Sequence, residues 1–462
     1  MADKNAIPTE LGTEKISVLL KQYALPAIIA QTASSLYNMV DSIFIGQGVG
    51  PLAISGLAVT FPLMNLSTAF GTLVGAGAAT MFSVLLGQKN YKAANKVLGN
   101  VVTLNTIIGI VFMAVALIFI DPILYFFGAS ENTLPFAKEY ITIILIGNVI
   151  THLYFGLNAA MRSSGNPKKA MGLTIFTVIF NTILDPIFIF VFDMGIAGAA
   201  WATVIAQTAA MLIVIAHFNN KSRPFHFEKG IFRLDTRVAK DSLAIGMGPF
   251  LMNAAACLVT LFINQQLRDY SGDLGIGAYG ICNRFIFMFI MICMGLNQGM
   301  QPIAGYNYGA RQYSRVREVL WKTIRLGMLM TTICFIFGMF FPKAAVGIFT
   351  HDEQLLELSA KALRITTIAF PIVGFQMIGT NFFQSLGMVR KSIILSLSRQ
   401  ILFLLPLIYL LPKWMGADGV WASFPIADCI ATVMTAVMLG QLFRKFSMLK
   451  DGNDPSILGS NL

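Results

Sequence analysis

Two aspartates stand in runs of sequence too apolar to hold a charge comfortably. Asp185 lies in Asn181–Phe190 (NTILDPIFIF), one helical turn after Asn181, and Asp41 lies in YNMVDSIFIG. Residues four apart share a helix face, so Asn181 and Asp185 present an amide and a carboxylate side by side. A bare charge in hydrocarbon is unfavourable and persists where it meets a partner or a water-filled cavity. Such an acid can also cap a broken helix end or pair with a base. No Lys or Arg lies in the cores of the first half's apolar runs, so an ion pair needs a partner from elsewhere. Carboxylate and amide oxygens are ligands that hard cations prefer, and the same carboxylates can take a proton. The reading is that Asp41 and Asp185 share one cation-binding pocket. Pro186 removes a backbone donor and is expected to push Asp185 out of helical geometry and mark a bend.

The elements that position these residues follow from composition. Of 462 residues, 56% are hydrophobic and 12% charged, and the mean hydropathy is +0.71. A soluble domain carries about a quarter charged residues, so this is an all-α polytopic membrane protein. Spans need ~20 apolar residues. Twelve are read, at 18–46, 53–86, 97–120, 134–160, 168–192, 195–218, 240–268, 275–304, 317–341, 354–386, 390–411 and 417–443. The second is long enough to tilt, to kink near Pro62 or to extend beyond the bilayer. Alternate connections are rich in Lys and Arg, among them Lys89, Lys92, Lys96, Arg162, Lys168, Lys169, Arg233, Arg311, Arg390, Lys391 and Arg399; those at 47–52, 121–133 and 269–274 have none. By the positive-inside rule the basic set and both termini are cytoplasmic. The net charge of +11 is therefore topology and not nucleic-acid binding. The expected division is a leader 1–17, a first bundle 18–218, a linker 219–239, a second bundle 240–445 and a tail 446–462.

The two bundles are a repeat. GQKNYKAANKV (87–97) matches GARQYSRVREV (309–319), and MRSSGNPKK (161–169) matches FQSLGMVRK (383–391), each 222 residues apart. Pro26 matches Pro249, and GIAGAAWAT (195–203) matches GADGVWASF (416–424). Six crossings separate matching segments, so the halves are parallel repeats. At these offsets Asp41 falls on Ile263 and Asp185 near Leu405. Since the second half manages without the acids, they serve chemistry and not architecture.

Twelve spans in two halves, the G-x-x-x-Y elements at Gly87–Tyr91 and Gly309–Tyr313, the first-span Asp41, the S-x-G elements at Ser163–Gly165 and Ser385–Gly387, and Asn181-x-x-x-Asp185-Pro186 together resemble the multidrug and toxic compound extrusion (MATE) family, in detail its MepA-like bacterial branch. The resemblance covers about 15–445. It implies two six-helix bundles in a V around a central cleft, in the cytoplasmic (inner) membrane. It implies antiport of cationic, amphipathic drugs and dyes out of the cell against inward Na+ or H+, by a monomer among membrane lipids with no tightly bound cofactor. The family's cation site carries over to Asp41, Asn181, Asp185 and Thr203, where Na+ would bind. In some branches acids in spans seven and ten also matter; here the stretches NAAACLVTLFINQQL and ITTIAFPIVGFQMIGTNFF of those spans hold none.

Candidates for a substrate wall are Tyr37, Asn38, Met39, Met64, Arg284, Met288, Gln298, Gln376, Gln384 and Asp428, with Gln265. Thioethers repack around ligands of different shape, which suits a promiscuous cleft. Arg284 reads as the only base well inside a span, able to pair with Asp428, which itself follows Pro425 and is read as structural. The alternative function is a lipid-linked oligosaccharide flippase of the same superfamily, which asks for a more basic cleft than Arg284 provides. An enzyme or ATPase is excluded: there is no phosphate-binding glycine loop and no nucleophile–base arrangement, and His152, His217, His226 and His351 lack ligand spacing. The five cysteines read as small buried hydrophobes.

Overall fold

The computed structural model describes residues 8–350, 352–449 and 451–452. The start of the expected leader, His351, Lys450 and the end of the expected tail lie outside the described residues, as do the side chains of Asn38 and Met39. Every regular element among the described residues is a helix. The twelve spans are α1 (Ile16–Gly48), α2 (Pro51–Gly87), α3 (Tyr91–Ile118), α4 (Leu134–Ile146 and Asn148–Ser163), α5 (Pro167–Pro186, continued by Ile187–Val191), α6 (Gly195–Asn219), α7 (Thr236–Gly272), α8 (Leu274–Gly309), α9 (Tyr313–Phe340), α10 (Glu353–Thr367 and Phe370–Ser385), α11 (Val389–Met415) and α12 (Ala417–Met448). Among the described residues nine helices are long and apolar enough to cross a membrane, eleven when each bent pair counts as one. The 33 residues of α1 complete the twelve. α2 runs unbroken through Pro62 for 37 residues, about 55 Å against a hydrocarbon core of about 30 Å.

The repeat is written in the backbone. Left-handed φ values recur in matched pairs: Gly50 (113°) and Gly272 (63°), Lys89 (58°) and Arg311 (57°), Gly165 (90°) and Gly387 (71°), Gly195 (58°) and Gly416 (60°). α4 and α10, expected as single runs, are both broken, by 53° and 56°. The first break falls at Gly147, where a Cβ would stand 2.6 Å from the Val204 side chain. The second falls before Phe370–Pro371, and proline cannot donate to the preceding turn.

Chain packing resolves two compact units, Met1–Thr13 with Ile29–Phe250 and Glu14–Ile28 with Leu251–Leu462. The sequence suggests a division in the 219–239 loop; the packing divides the chain inside α1 and α7 instead. The cause is close helix contact at glycines. In the first unit the start of α7 lies on α2, where a Cβ on Gly246 would be 1.7 Å from the Leu73 carbonyl oxygen and one on Gly77 1.8 Å from that of Ser242. In the second unit the start of α1 lies on α8, where a Cβ on Gly299 would be 2.3 Å from the Ala24 Cα and one on Gly295 2.5 Å from the Ile28 Cα. The matched prolines Pro26 and Pro249 stand beside the two divisions.

Three side chains depart from the sequence reading. Arg399, grouped above with the basic connections, lies inside α11, in a widened turn at Ser398–Leu404. Cys282, Cys293 and Cys334 are buried as expected, but Cys257 is half-buried and Cys429 is exposed on α12, since a thiol is apolar enough to face outward from such a helix.

Candidate functional site

α1 carries Asp41 and α5 carries Asp185, and the first unit brings them together. They are 5% and 0% exposed, and their carboxyl groups stand within hydrogen-bonding reach of each other. Asp185 is not pushed out of the helix. α5 stays helical through Pro186 (φ −64°, ψ −30°), and the next turn widens so that the Phe192 N–H reaches back to the Ile187 carbonyl. The looser turn takes up the proline's misfit, and Asp185 keeps the face it shares with Asn181.

The neutral ligands surround this pair. With its amide oriented to suit both neighbours, Asn181 donates to Asp185 Oδ2 at 3.0 Å and accepts from the Thr203 N–H at 2.9 Å and the Thr203 hydroxyl at 3.2 Å. Tyr37 Oη lies 3.0 Å from Thr203 Oγ1. Tyr140, from α4 and 1% exposed, reaches the same hydroxyl. The sequence reading missed Tyr140; its one signal is a phenol in an apolar run, whose hydroxyl needs a partner when buried. The ring packs in an apolar cluster with Ile45, Ala53, Ile189 and Ile196 that floors the site.

Two oxygens remain unsatisfied, Asp41 Oδ1 and Asp185 Oδ1, both buried. Two carboxylates in contact repel unless they share a proton or a cation. The donor set, carboxylate, amide and hydroxyl oxygens, fits a hard cation. In the second unit the matching places are apolar: Ile263 (1% exposed) belongs to a core cluster, and Leu405 packs against the same cluster.

The remaining wall candidates are divided between the two units. Tyr37 and Met64 belong to the first unit; Arg284, Met288, Gln298, Gln376, Gln384 and Asp428 belong to the second. Met288 is 55% exposed, and Arg284, one turn before it on α8, is exposed too. Gln265 is also exposed, and Gln298 is half-buried. Gln376 is buried and donates to Thr380 at 3.3 Å; Gln384 is buried as well. Asp428 accepts from Arg399 Nε at 2.5 Å, with side chains 2% and 27% exposed. Arg284 is therefore neither the partner of Asp428 nor the only base inside a span.

Comparisons with known proteins agree with this architecture. The MatE family model matches residues 26–187 and again 247–410, at the spacing of the internal repeat. The multidrug export protein MepA of Staphylococcus aureus (strain MRSA252) is 28% identical over 425 residues, covering 92% of this chain and 93% of that protein. MepA of Staphylococcus haemolyticus (strain JCSC1435) is 26% identical over 431 residues, covering 93% and 95%. The structure of the MATE multidrug transporter DinF-BH in complex with a dye is 34% identical and superposes with a TM-score of 0.89, covering 97% of this chain and all of that one. An outward-facing MATE transporter of the MOP superfamily, 21% identical, shares the fold with a TM-score of 0.90 over 97% of this chain. With the family pattern matched in both halves and relatives aligned over nearly its whole length, this chain is a multi-pass membrane protein of the MATE multidrug transporter family.

Proposed function

We propose that this protein is a secondary active exporter that moves cationic, amphipathic drugs and dyes out of the cell in exchange for inward Na+ or H+. The observation that carries the reading is the contact between Asp41 and Asp185. A buried carboxylate pair changes its charge when it takes a proton or a cation, and in low dielectric that change is large enough to favour one helix arrangement over another. Asn181, Thr203 and Tyr37 supply neutral oxygens to an ion held there. Ion and drug then oppose each other because each binds a different arrangement better, a population shift set by differential affinity. Relatives named multidrug export proteins, and one solved with a dye bound, support a drug as cargo. The Lys/Arg bias of the connections supports a place in the cytoplasmic membrane with both termini inside.

The test is dye export from proteoliposomes, with Na+ and H+ gradients imposed separately. Wild-type protein should respond to at least one gradient. Asp41→Asn and Asp185→Asn should each reduce that response at least tenfold while remaining folded in the membrane. Wild-type export by both variants would rule out the pair as the coupling site.

A further inference from the structure

The loop that follows α6 closes a cavity of about 650 Å³ against the start of α3. The loop is fixed in place. The Thr103 hydroxyl donates to the Phe232 carbonyl at 2.8 Å. Asn100 accepts from the Asp235 N–H at 3.0 Å and donates to the Asp235 carbonyl at 3.3 Å. Asn95 accepts from the His226 N–H at 3.3 Å. The approach is so close that a Cβ on Gly99 would stand 2.0 Å from the Ile231 carbonyl oxygen.

Four bases, Lys92, Lys96, Lys229 and Arg233, line the cavity with two acids, Glu228 and Asp235. Lys96 is engaged with Asp235 at 3.2 Å; its hydrogen bond, with those from the Val238 and Arg237 N–H groups, holds the Asp235 carboxyl below its ordinary range. Glu228 stands 4.0 Å from His226. Lys92, Lys229 and Arg233 pair with no acid among the described residues. Asn95 also lines the cavity and is 7% exposed; its carbonyl is taken by His226, and its NH2 makes no hydrogen bond among the described residues. Beside the cavity Phe232 and Leu234 are 49% and 41% exposed.

We propose that this cavity binds the phosphate of an anionic phospholipid headgroup. Three unengaged cations and a buried amide donor converge on one volume, which is the recognition chemistry of a phosphate ester. The cavity sits where α3 begins, at the end of a membrane helix and so at headgroup depth, and the exposed Phe232 and Leu234 suit the adjoining acyl boundary. Juxtamembrane bases are drawn to an anionic leaflet. The site is independent of the carboxylate pair and of the exporter reading; only the choice of the cytoplasmic leaflet rests on the proposed orientation.

The experiment measures equilibrium binding of phosphatidylglycerol, phosphatidylcholine and inorganic phosphate to the purified full-length protein in detergent. Phosphatidylglycerol should bind at least tenfold more tightly than phosphatidylcholine. The triple variant Lys92→Gln, Lys229→Gln, Arg233→Gln should lose most of that preference. Asn95→Asp keeps the acceptor for His226 but brings a negative charge to the cavity, so it should show the same loss even where the triple variant folds poorly. Both should retain ion-driven export. Equal binding of the two lipids, or an undiminished preference in both variants, overturns the proposal. Displacement of phosphatidylglycerol by inorganic phosphate at millimolar concentration overturns the lipid source in favour of a soluble phosphate.

Discussion

At the scale of residues, the carboxylate pair should behave as a unit. Groups in one network are non-additive, so the double variant Asp41→Asn/Asp185→Asn should be no worse in gradient-driven dye export than either single. Tyr140→Phe keeps the ring in the apolar floor but removes the hydroxyl from Thr203. It should weaken the ion dependence of dye binding severalfold with little loss of thermal stability; an unchanged ion titration would remove Tyr140 from the site. The pair Arg399–Asp428 makes the opposite kind of prediction. Leaving one member of a buried ion pair uncompensated is strongly destabilising, so Asp428→Asn should lower stability by about 3 kcal/mol. Replacing both by Arg399→Met and Asp428→Leu should recover much of it, as thermal unfolding in detergent would show. Asp41 and Asp185 were legible because an acid in an apolar run is conspicuous. Arg399 was not: serines precede it near a basic connection, and its partner lies on the next helix, where no local pattern reveals it. Tyr140 hid for the opposite reason, since a tyrosine among aliphatic residues is ordinary until its hydroxyl is seen to meet Thr203.

At the scale of elements, hydropathy located every span but not how two of them run. The break in α4 falls at a contact made in three dimensions, Gly147 against Val204, and that in α10 falls before Pro371; apolar periodicity is blind to both. Pro186 misled in the other direction, because a widened turn can absorb a proline that local rules read as a stop. Glycine contacts are the features most exposed to mutation. Gly77→Val would drive its Cβ into the Ser242 backbone, and neither backbone can yield without moving a whole helix. We expect loss of the monodisperse, folded species by size-exclusion chromatography. Gly172→Ala, on α5 with open space around its Cα, should leave the profile intact and gain up to about 1 kcal/mol from helix propensity.

At the scale of the whole molecule, the sequence repeat is legible to within a residue, as the paired left-handed positions show, yet the packing units are not the repeats. Each unit takes in the first turns of a helix that the repeat assigns to the other half. Cutting the chain after Asn220 should therefore yield two fragments that are degraded when expressed alone and recovered as one species when expressed together; a stable, monodisperse first fragment by itself would contradict this. The same exchange bears on ancestry. A half-length forebear carrying this helix pattern leaves the glycine face of its second helix uncovered unless another copy lends the start of its first helix. Such a forebear is a mutually swapped homodimer, and domain exchange is a low-barrier route to one. Gene fusion then had only to tether two subunits already interlocked, which explains how the chain could double without inventing a new interface.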